Sequence, residues 1–368
     1  MKLVVVGAGL YGLSVARAAI AAGHEVTVVE QGPVPNPLGS SVDRHRLIRY
    51  PYGDRDGYAL MVRDAFPAWE RVWADLGTRH FVETGTLAHC FRPGDWGALS
   101  AASLDRLGIA CERLSTTELD RRYLMLTSVG VESALYLPSG GALLADRIIE
   151  GLADLVRRRG TLIAQMAVTA IDPARGAATL ADGRILEGDA LVVTAGPWTT
   201  RLVPGLAPVL TPARQVLIYT AVPAQYRADW AKAPMLLEID RDEGFYAVPP
   251  VDGYHLKIGD HRIDGPGADP DLNRVPGEDE SVRILAAAKR RFAAFDDYRI
   301  VEAKTCFYTV TTDERFRIEA EDKALILSCC SGHGFKFGPL VGERVVECLD
   351  GKAPVSKLQS WAAGHSIA

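Results

Sequence analysis

Three glycines near the start of the chain, in Gly7-Ala8-Gly9-Leu10-Tyr11-Gly12, have the spacing with which a backbone turn grips a pyrophosphate. Gly7 allows the tight turn, Gly9 lets the backbone approach the phosphates, and Gly12 lets the following helix pack close to its strand. The start of that helix offers unpaired N–H groups and a positive dipole end to the phosphate charge. Glu30, 21 residues after Gly9, is placed to accept hydrogen bonds from ribose hydroxyls. A glycine triplet alone carries little weight, so the reading depends on the elements around it.

Those elements are legible. Lys2 to Val6 is an apolar, β-branched run of the kind that forms a strand buried on both faces. Leu13 to Ala22 reads as a helix, and Glu25 to Val29 as a second strand that ends at Glu30. Strand, glycine turn, helix, strand and acidic residue together predict a bound dinucleotide. The fingerprint leaves FAD and NAD open; its position at residue 7 favours FAD, because flavoenzymes often open this way.

Further along, Gly32 to Ser41 is a Pro-, Gly- and Ser-rich loop that leads into the basic stretch Asp43-Arg44-His45-Arg46-Leu47-Ile48-Arg49-Tyr50. Apolar spacing predicts helices over 59–77, 97–107, Ala145–Arg159, about 279–294 and Pro339–Leu349. Short strands alternate with turns from Thr161 to Ile185. Buried strands are predicted at Ala190–Val193, before Thr194-Ala195-Gly196-Pro197-Trp198, and at Ala324–Leu327, before Ser331-Gly332-His333-Gly334-Phe335-Lys336. The nucleotide-binding elements therefore lie at both ends and in the middle. The fold expected is α/β: an FAD-binding Rossmann-like domain from residues 1–50, 131–204 and 301–368, with an interleaved second domain from 51–130 and 205–300 built on a mostly antiparallel sheet.

Composition narrows the partners. With 368 residues, 48% hydrophobic and 24% charged, the chain suits a globular enzyme of two domains or one large one. A net charge of −5 gives no general reason to expect nucleic acid or an anionic membrane surface as partner. The six cysteines lack C-x-x-C spacing and no Cys/His pattern suggests a metal, so reduced thiols in a cytoplasmic protein are expected. No apolar run reaches 18 residues, so no transmembrane helix is predicted. The glycines at 7, 9 and 12 argue against reading the N-terminus as a secretion signal. A monomer or small homo-oligomer is expected.

Four later segments are more specific: Arg46 to Gly53; Tyr246 through Lys257 to His261; Cys306-Phe307-Tyr308-Thr309-Val310-Thr311; and Ser331 to Phe337. With them the chain resembles, over nearly its whole length, the monomeric sarcosine oxidase family within the wider D-amino-acid-oxidase group of flavoproteins. The resemblance implies an FAD-dependent oxidation of a small secondary amino acid such as sarcosine or iminodiacetate. Hydride would pass from the carbon beside nitrogen to flavin N5, the imine would hydrolyse, and dioxygen would be reduced to hydrogen peroxide. A dehydrogenase with another electron acceptor, a flavin-binding protein without turnover and a nicotinamide dehydrogenase are the rival readings.

The resemblance also implies residue roles. Cys306 reads on its own as a small buried thiol; the family's cysteine at this place forms a thioether with FAD. Lys257 would promote the reaction of reduced flavin with dioxygen, where a buried cation stabilises the new negative charge. Arg49 and Lys336 would hold the substrate carboxylate, the first as a planar fork and the second as a point charge. Arg46 would lie near the flavin ring, and Tyr246, His261 and Tyr308 would wall the substrate cavity. Gly332, His333 and Gly334 would present backbone N–H groups to the flavin, with Val168, Ala195, Gly196 and Trp198 as further cofactor contacts. The family's histidine upstream of the basic stretch is absent, since Ser41-Val42-Asp43-Arg44 stands there. The additional Arg44 is expected at the FAD phosphates or in solvent, or at a second substrate carboxylate.

Overall fold

The computed structural model describes residues 1–239, 244–260, 262 and 264–365. Its first layer grows from β1 (Lys2–Val6), α1 (Leu10–Ala21) and β2 (Glu25–Val29). Val4 and Val5 of β1 are fully buried, because the strand sits inside a sheet covered on both faces. That sheet has six strands in the order Arg317–Glu321, Ala324–Ser328, Ala190–Val193, β1, β2, Thr161–Ile163. All neighbours are parallel except the first pair, which is antiparallel. Helix α1, the helix Ala145–Arg159 and the helix Gly338–Leu349 cover this sheet.

Two glycines make the turn possible. Gly7 has φ +99°, a left-handed value that favours glycine. A Cβ on Gly12 would lie 1.9 Å from the Gly7 carbonyl oxygen, so helix and turn can be this close only without one. Thr194 completes the turn from the neighbouring strand end, its hydroxyl donating to the Val6 carbonyl at 2.8 Å.

The second layer is a larger, mostly antiparallel sheet of nine strands. Its spine runs Thr211–Ala221, Leu256–Asp260, Phe245–Val248, Met235–Glu238, Thr86–Cys90, with Arg299–Val310 also pairing along Thr211–Ala221. One junction, Met235–Glu238 with Thr86–Cys90, is parallel. Its separate core includes Trp230, Phe245, Ile258 and Phe292, beside the helix Glu278–Ala287.

Two further elements follow β2 in the chain, the short strand β3 (Arg46–Ile48) and the long helix α2 (Asp56–Leu76). Sequence reasoning places α2 with the second domain. It packs instead into the core of the first layer, where Tyr58, Met61, Trp69 and Trp73 join Leu13 and Val341. Its tie to the C-terminal turn is direct: the Trp69 indole N–H donates to the Lys336 carbonyl at 2.8 Å. The strand Ser133–Leu137, expected with the first domain, pairs in the nine-stranded sheet. Among the described residues no helix is long and apolar enough to cross a membrane, and no cluster of His, Cys, Asp or Glu is arranged to hold a metal ion.

Candidate active site

A cleft of about 1010 Å³ runs between the two layers. That is at the upper end of the roughly 300–1,000 Å³ usual for small-molecule sites. One wall is the glycine turn. Gly7 and Gly9 line it, while Gly12 stands behind, against Gly7. Glu30 is buried at the end of β2; its carboxylate accepts from the Ala8 N–H at 2.8 Å and from the Asn36 amide at 2.9 Å. Val168, Ala195, Gly196 and Trp198 also line this wall.

The opposite wall follows from strand register. Side chains two apart on a strand share a face, and directly paired residues share it too. Gln215 is paired with Cys306 and Tyr219 with Lys257, so Gln215, Leu217 and Tyr219 bring Cys306 and Lys257 to one face. Tyr308 follows Cys306 by two, and Tyr246 is paired with Gly259, which follows Lys257 by two. Cys306, Tyr308, Tyr246 and Lys257 thus reach the same cleft from three strands. Gly259 leaves room for the Tyr246 ring, whose oxygen would lie 2.5 Å from a Cβ there.

A third group of residues closes the site. Gly332, His333, Gly334 and Lys336 follow the strand Ala324–Ser328 and line the cleft. The Tyr11 hydroxyl donates to the Gly334 carbonyl at 2.7 Å, tying α1 to this turn. Lys336 is 3% exposed, and its ammonium donates to the Tyr52 hydroxyl at 2.9 Å and the His333 carbonyl at 2.7 Å. Arg49 lies over the Tyr52 ring at 4.5 Å and the Trp96 ring at 5.3 Å, and donates to the Pro51 carbonyl. Among the described residues neither Arg49 nor Lys336 has a carboxylate partner. Burial, reinforced by the charge of Arg49, holds the Lys336 ammonium well below the usual lysine range. Such a pair is costly without an anion between them.

Two cations are differently placed. Lys257 is 1% exposed and donates to the Asp43 carboxylate at 2.5 Å and the His45 carbonyl at 3.0 Å. Burial pushes its ammonium down and Asp43 pushes it back up, with a resulting value of about 8. Arg46 pairs with the same carboxylate, donates to the Ser40 carbonyl at 2.8 Å, and faces the Cys306 sulfur at 3.8 Å. Burial raises the Cys306 thiol above its ordinary value, and Arg46 opposes that rise.

Two expectations end differently. Arg44 does not line the cleft. Its guanidinium lies over the Tyr254 ring at 5.2 Å and pairs with Glu302 at 2.9 Å, both partners more than a third exposed. Glu302 on the strand Arg299–Val310 holds it there, which fits the solvent alternative. His261 falls outside the described residues. Sequence reasoning also missed several cleft residues, among them Gln215, Thr309, Ser328 and Tyr52, together with Asp43 behind Lys257.

The cleft fits FAD on its own features. Gln215 Nε2, Thr309 Oγ1 and Ser328 Oγ are buried polar atoms without a hydrogen-bond partner among the described residues, and all three residues line the cleft. Buried polar atoms are normally satisfied, so these await a polar ligand. The family model for FAD dependent oxidoreductases matches residues 2–348. The chain belongs to that family. This FAD-dependent oxidoreductase is 29% identical over 366 residues to the peroxisomal sarcosine oxidase of Mus musculus, covering 96% of this chain and 93% of that one. It is 27% identical over 357 residues to the monomeric sarcosine oxidase of Bacillus sp. (strain B-0618), covering 93% and 90%. The fold is that of NikD, an unusual amino acid oxidase essential for nikkomycin biosynthesis, with TM-score 0.81 at 22% identity over 97% of this chain and 96% of that one.

Proposed function

We propose that this FAD-dependent oxidoreductase oxidises a small secondary amino acid, sarcosine or an N-carboxymethyl relative such as iminodiacetate, with dioxygen as electron acceptor. The observation that carries the reading is the pair Arg49 and Lys336, two cations joined through Tyr52 and lacking an acidic partner among the described residues. A substrate carboxylate would supply the missing charge, the arginine binding it as a fork. The similarity to sarcosine oxidases supports a secondary amine beside that carboxylate.

Arg46, Arg49, Lys257 and Lys336 are buried or half-buried cations among the charged residues that line the cleft. Their field favours a carboxylate and disfavours an ammonium, so the substrate nitrogen enters as the neutral amine that hydride loss requires. When bound, FAD supplies the two-electron acceptor for that hydride, and dioxygen takes the electrons on to hydrogen peroxide. The oxidised substrate, an imine, is hydrolysed by water to an aldehyde or keto acid and an amine. Lys257 answers to the negative charge that appears as dioxygen is reduced. Covalent attachment is assigned to Cys306: a thiolate is the reactive form, and the guanidinium of Arg46 beside the sulfur stabilises it. All six cysteines are unbridged, which supports a reducing compartment such as the cytoplasm.

Methoxyacetate, which keeps the carboxylate of sarcosine and replaces its amine by an ether, tests the carboxylate site through perturbation of the flavin spectrum. A hydrogen bond to a charged group contributes about 1.5–3 kcal/mol, so Arg49→Met and Lys336→Met should each raise its Kd at least about 10-fold. Unchanged binding in both variants would rule the assignment out.

A further inference from the structure

Asp43 is an acidic residue in an otherwise basic stretch, and its side chain is 2% exposed. Its carboxylate accepts from the Lys257 ammonium at 2.5 Å, the Tyr219 hydroxyl at 2.6 Å and the Arg44 backbone N–H at 2.8 Å, and it pairs with the Arg46 guanidinium. A buried carboxylate so fully satisfied is held in one place and in one ionisation state. Burial would raise its pKa, but Lys257 and Arg46 overcome that and hold it well below the usual carboxylate range.

The arrangement has two effects on Lys257. Its ammonium has three N–H donors. One points to Asp43 and one to the His45 carbonyl, which fixes the rotation of the group and leaves the third for the cleft that Lys257 lines. The second effect is charge: a fully buried lysine tends to lose its proton, and an adjacent carboxylate opposes that loss. The same carboxylate holds Arg46, which also reaches the Ser40 and His45 carbonyls, the Cys306 sulfur and the Phe335 ring. One anion thus anchors both cations of this wall and reduces their summed charge from two to one.

We propose that Asp43 is a positioning residue that keeps Lys257 charged, aims its free N–H into the cleft, and sets Arg46 against Cys306. This rests on the reading of Lys257 as the group that answers to dioxygen. The other groups facing Lys257 do not replace Asp43. His45 is kept neutral by burial and by Lys257 itself, with its value lowered to about 3. Tyr219, Tyr246 and Cys306 are all raised by burial and stay protonated, and Arg46 repels the ammonium.

The test uses the flavin-loaded enzyme with isotope-labelled lysine side chains, the Lys257 resonance being assigned by its loss in Lys257→Met. In the unaltered protein Lys257 should titrate at about 8. In Asp43→Asn the titration should fall by roughly 1–3 units, the effect of an opposite charge at contact distance, and Asp43→Glu should bring it back toward the original value. The falling limb of the flavin reoxidation rate against pH should move down by the same shift, while flavin reduction by substrate changes less. Should Asp43→Asn fail to fold, Asp43→Ser, with room for a water in place of the carboxylate, gives the same comparison. A Lys257 titration that Asp43→Asn or Asp43→Ser leaves in place overturns the proposal. If instead the titration falls but Lys257→Met reoxidises like the unaltered protein, the hold of Asp43 on Lys257 stands and the dioxygen role of Lys257 does not.

Discussion

Cys306 and Lys257 stand on the two strands that flank Thr211–Ala221, on one sheet face, yet they answer to different tests. Cys306 is 6% exposed and burial favours its thiol, so the proposed covalent attachment would depend on Arg46 at 3.8 Å to favour the thiolate. Denatured protein should therefore keep its yellow colour and the added mass of FAD, and Cys306→Ala should release the flavin on acid precipitation. Complete release from the unaltered protein would reduce Cys306 to a packing role. For Lys257, replacement by Met keeps the volume and removes the charge, so reoxidation should slow on the order of 100-fold with flavin reduction much less affected. The sign of the pH effect follows from the same group: the active form is the ammonium, so reoxidation should be lost as pH rises through about 8. Stopped-flow traces of reduced flavin mixed with air-saturated buffer would show either result. Of these residues, Cys306 and Lys257 were legible because their local segments are distinctive. Asp43 was not: its partners at 219 and 257 are brought to it only by the folding of distant strands.

At the scale of elements, the strand–turn–helix that opens the chain was readable because parallel strands buried on both faces leave mostly apolar, β-branched runs. The helix Ala145–Arg159 was read to the residue, its apolar positions recurring at helical spacing above a basic last turn. The turn itself is sterically unforgiving. Gly12→Val should cost more than the ~1–3 kcal/mol usual for overpacking, since the first added atom would sit 1.9 Å from the Gly7 carbonyl oxygen. The expected outcome is protein with little bound flavin and a lowered Tm, and normal flavin content would contradict this account of the turn. The packing of α2 was misplaced for a physical reason. An amphipathic helix states which of its faces is apolar but not which sheet receives it, and Trp69 and Trp73 find theirs in the first layer.

The whole molecule sets the substrate, because the cleft lies between two layers that have separate cores. Its cations call for a carboxylate, and the only arginine that sequence offered for a second carboxylate, Arg44, is engaged with Glu302 outside the cleft. An exposed pair of that kind contributes about 0–1 kcal/mol, so Arg44→Ala should change kcat/KM for sarcosine and for iminodiacetate alike by no more than a few-fold. A preference for iminodiacetate that disappears in Arg44→Ala would return that residue to the site. The apolar lining of the cleft was the least legible part of the sequence, since Leu47, Trp96, Leu237 and Tyr246 come to it from four different elements.

The most direct test of the account is to mix the purified enzyme with sarcosine, and separately with iminodiacetate, pipecolate, proline and a primary D-amino acid such as D-alanine, without oxygen while following the flavin absorbance, and then to admit air. The account predicts that a small secondary amino acid bleaches the flavin, that colour returns on aeration, and that about one hydrogen peroxide forms per flavin reoxidised. A flavin that none of these amines bleaches, or that bleaches only with primary D-amino acids, would contradict the substrate assignment. Bleaching without return of colour in air would contradict the assignment of dioxygen as acceptor.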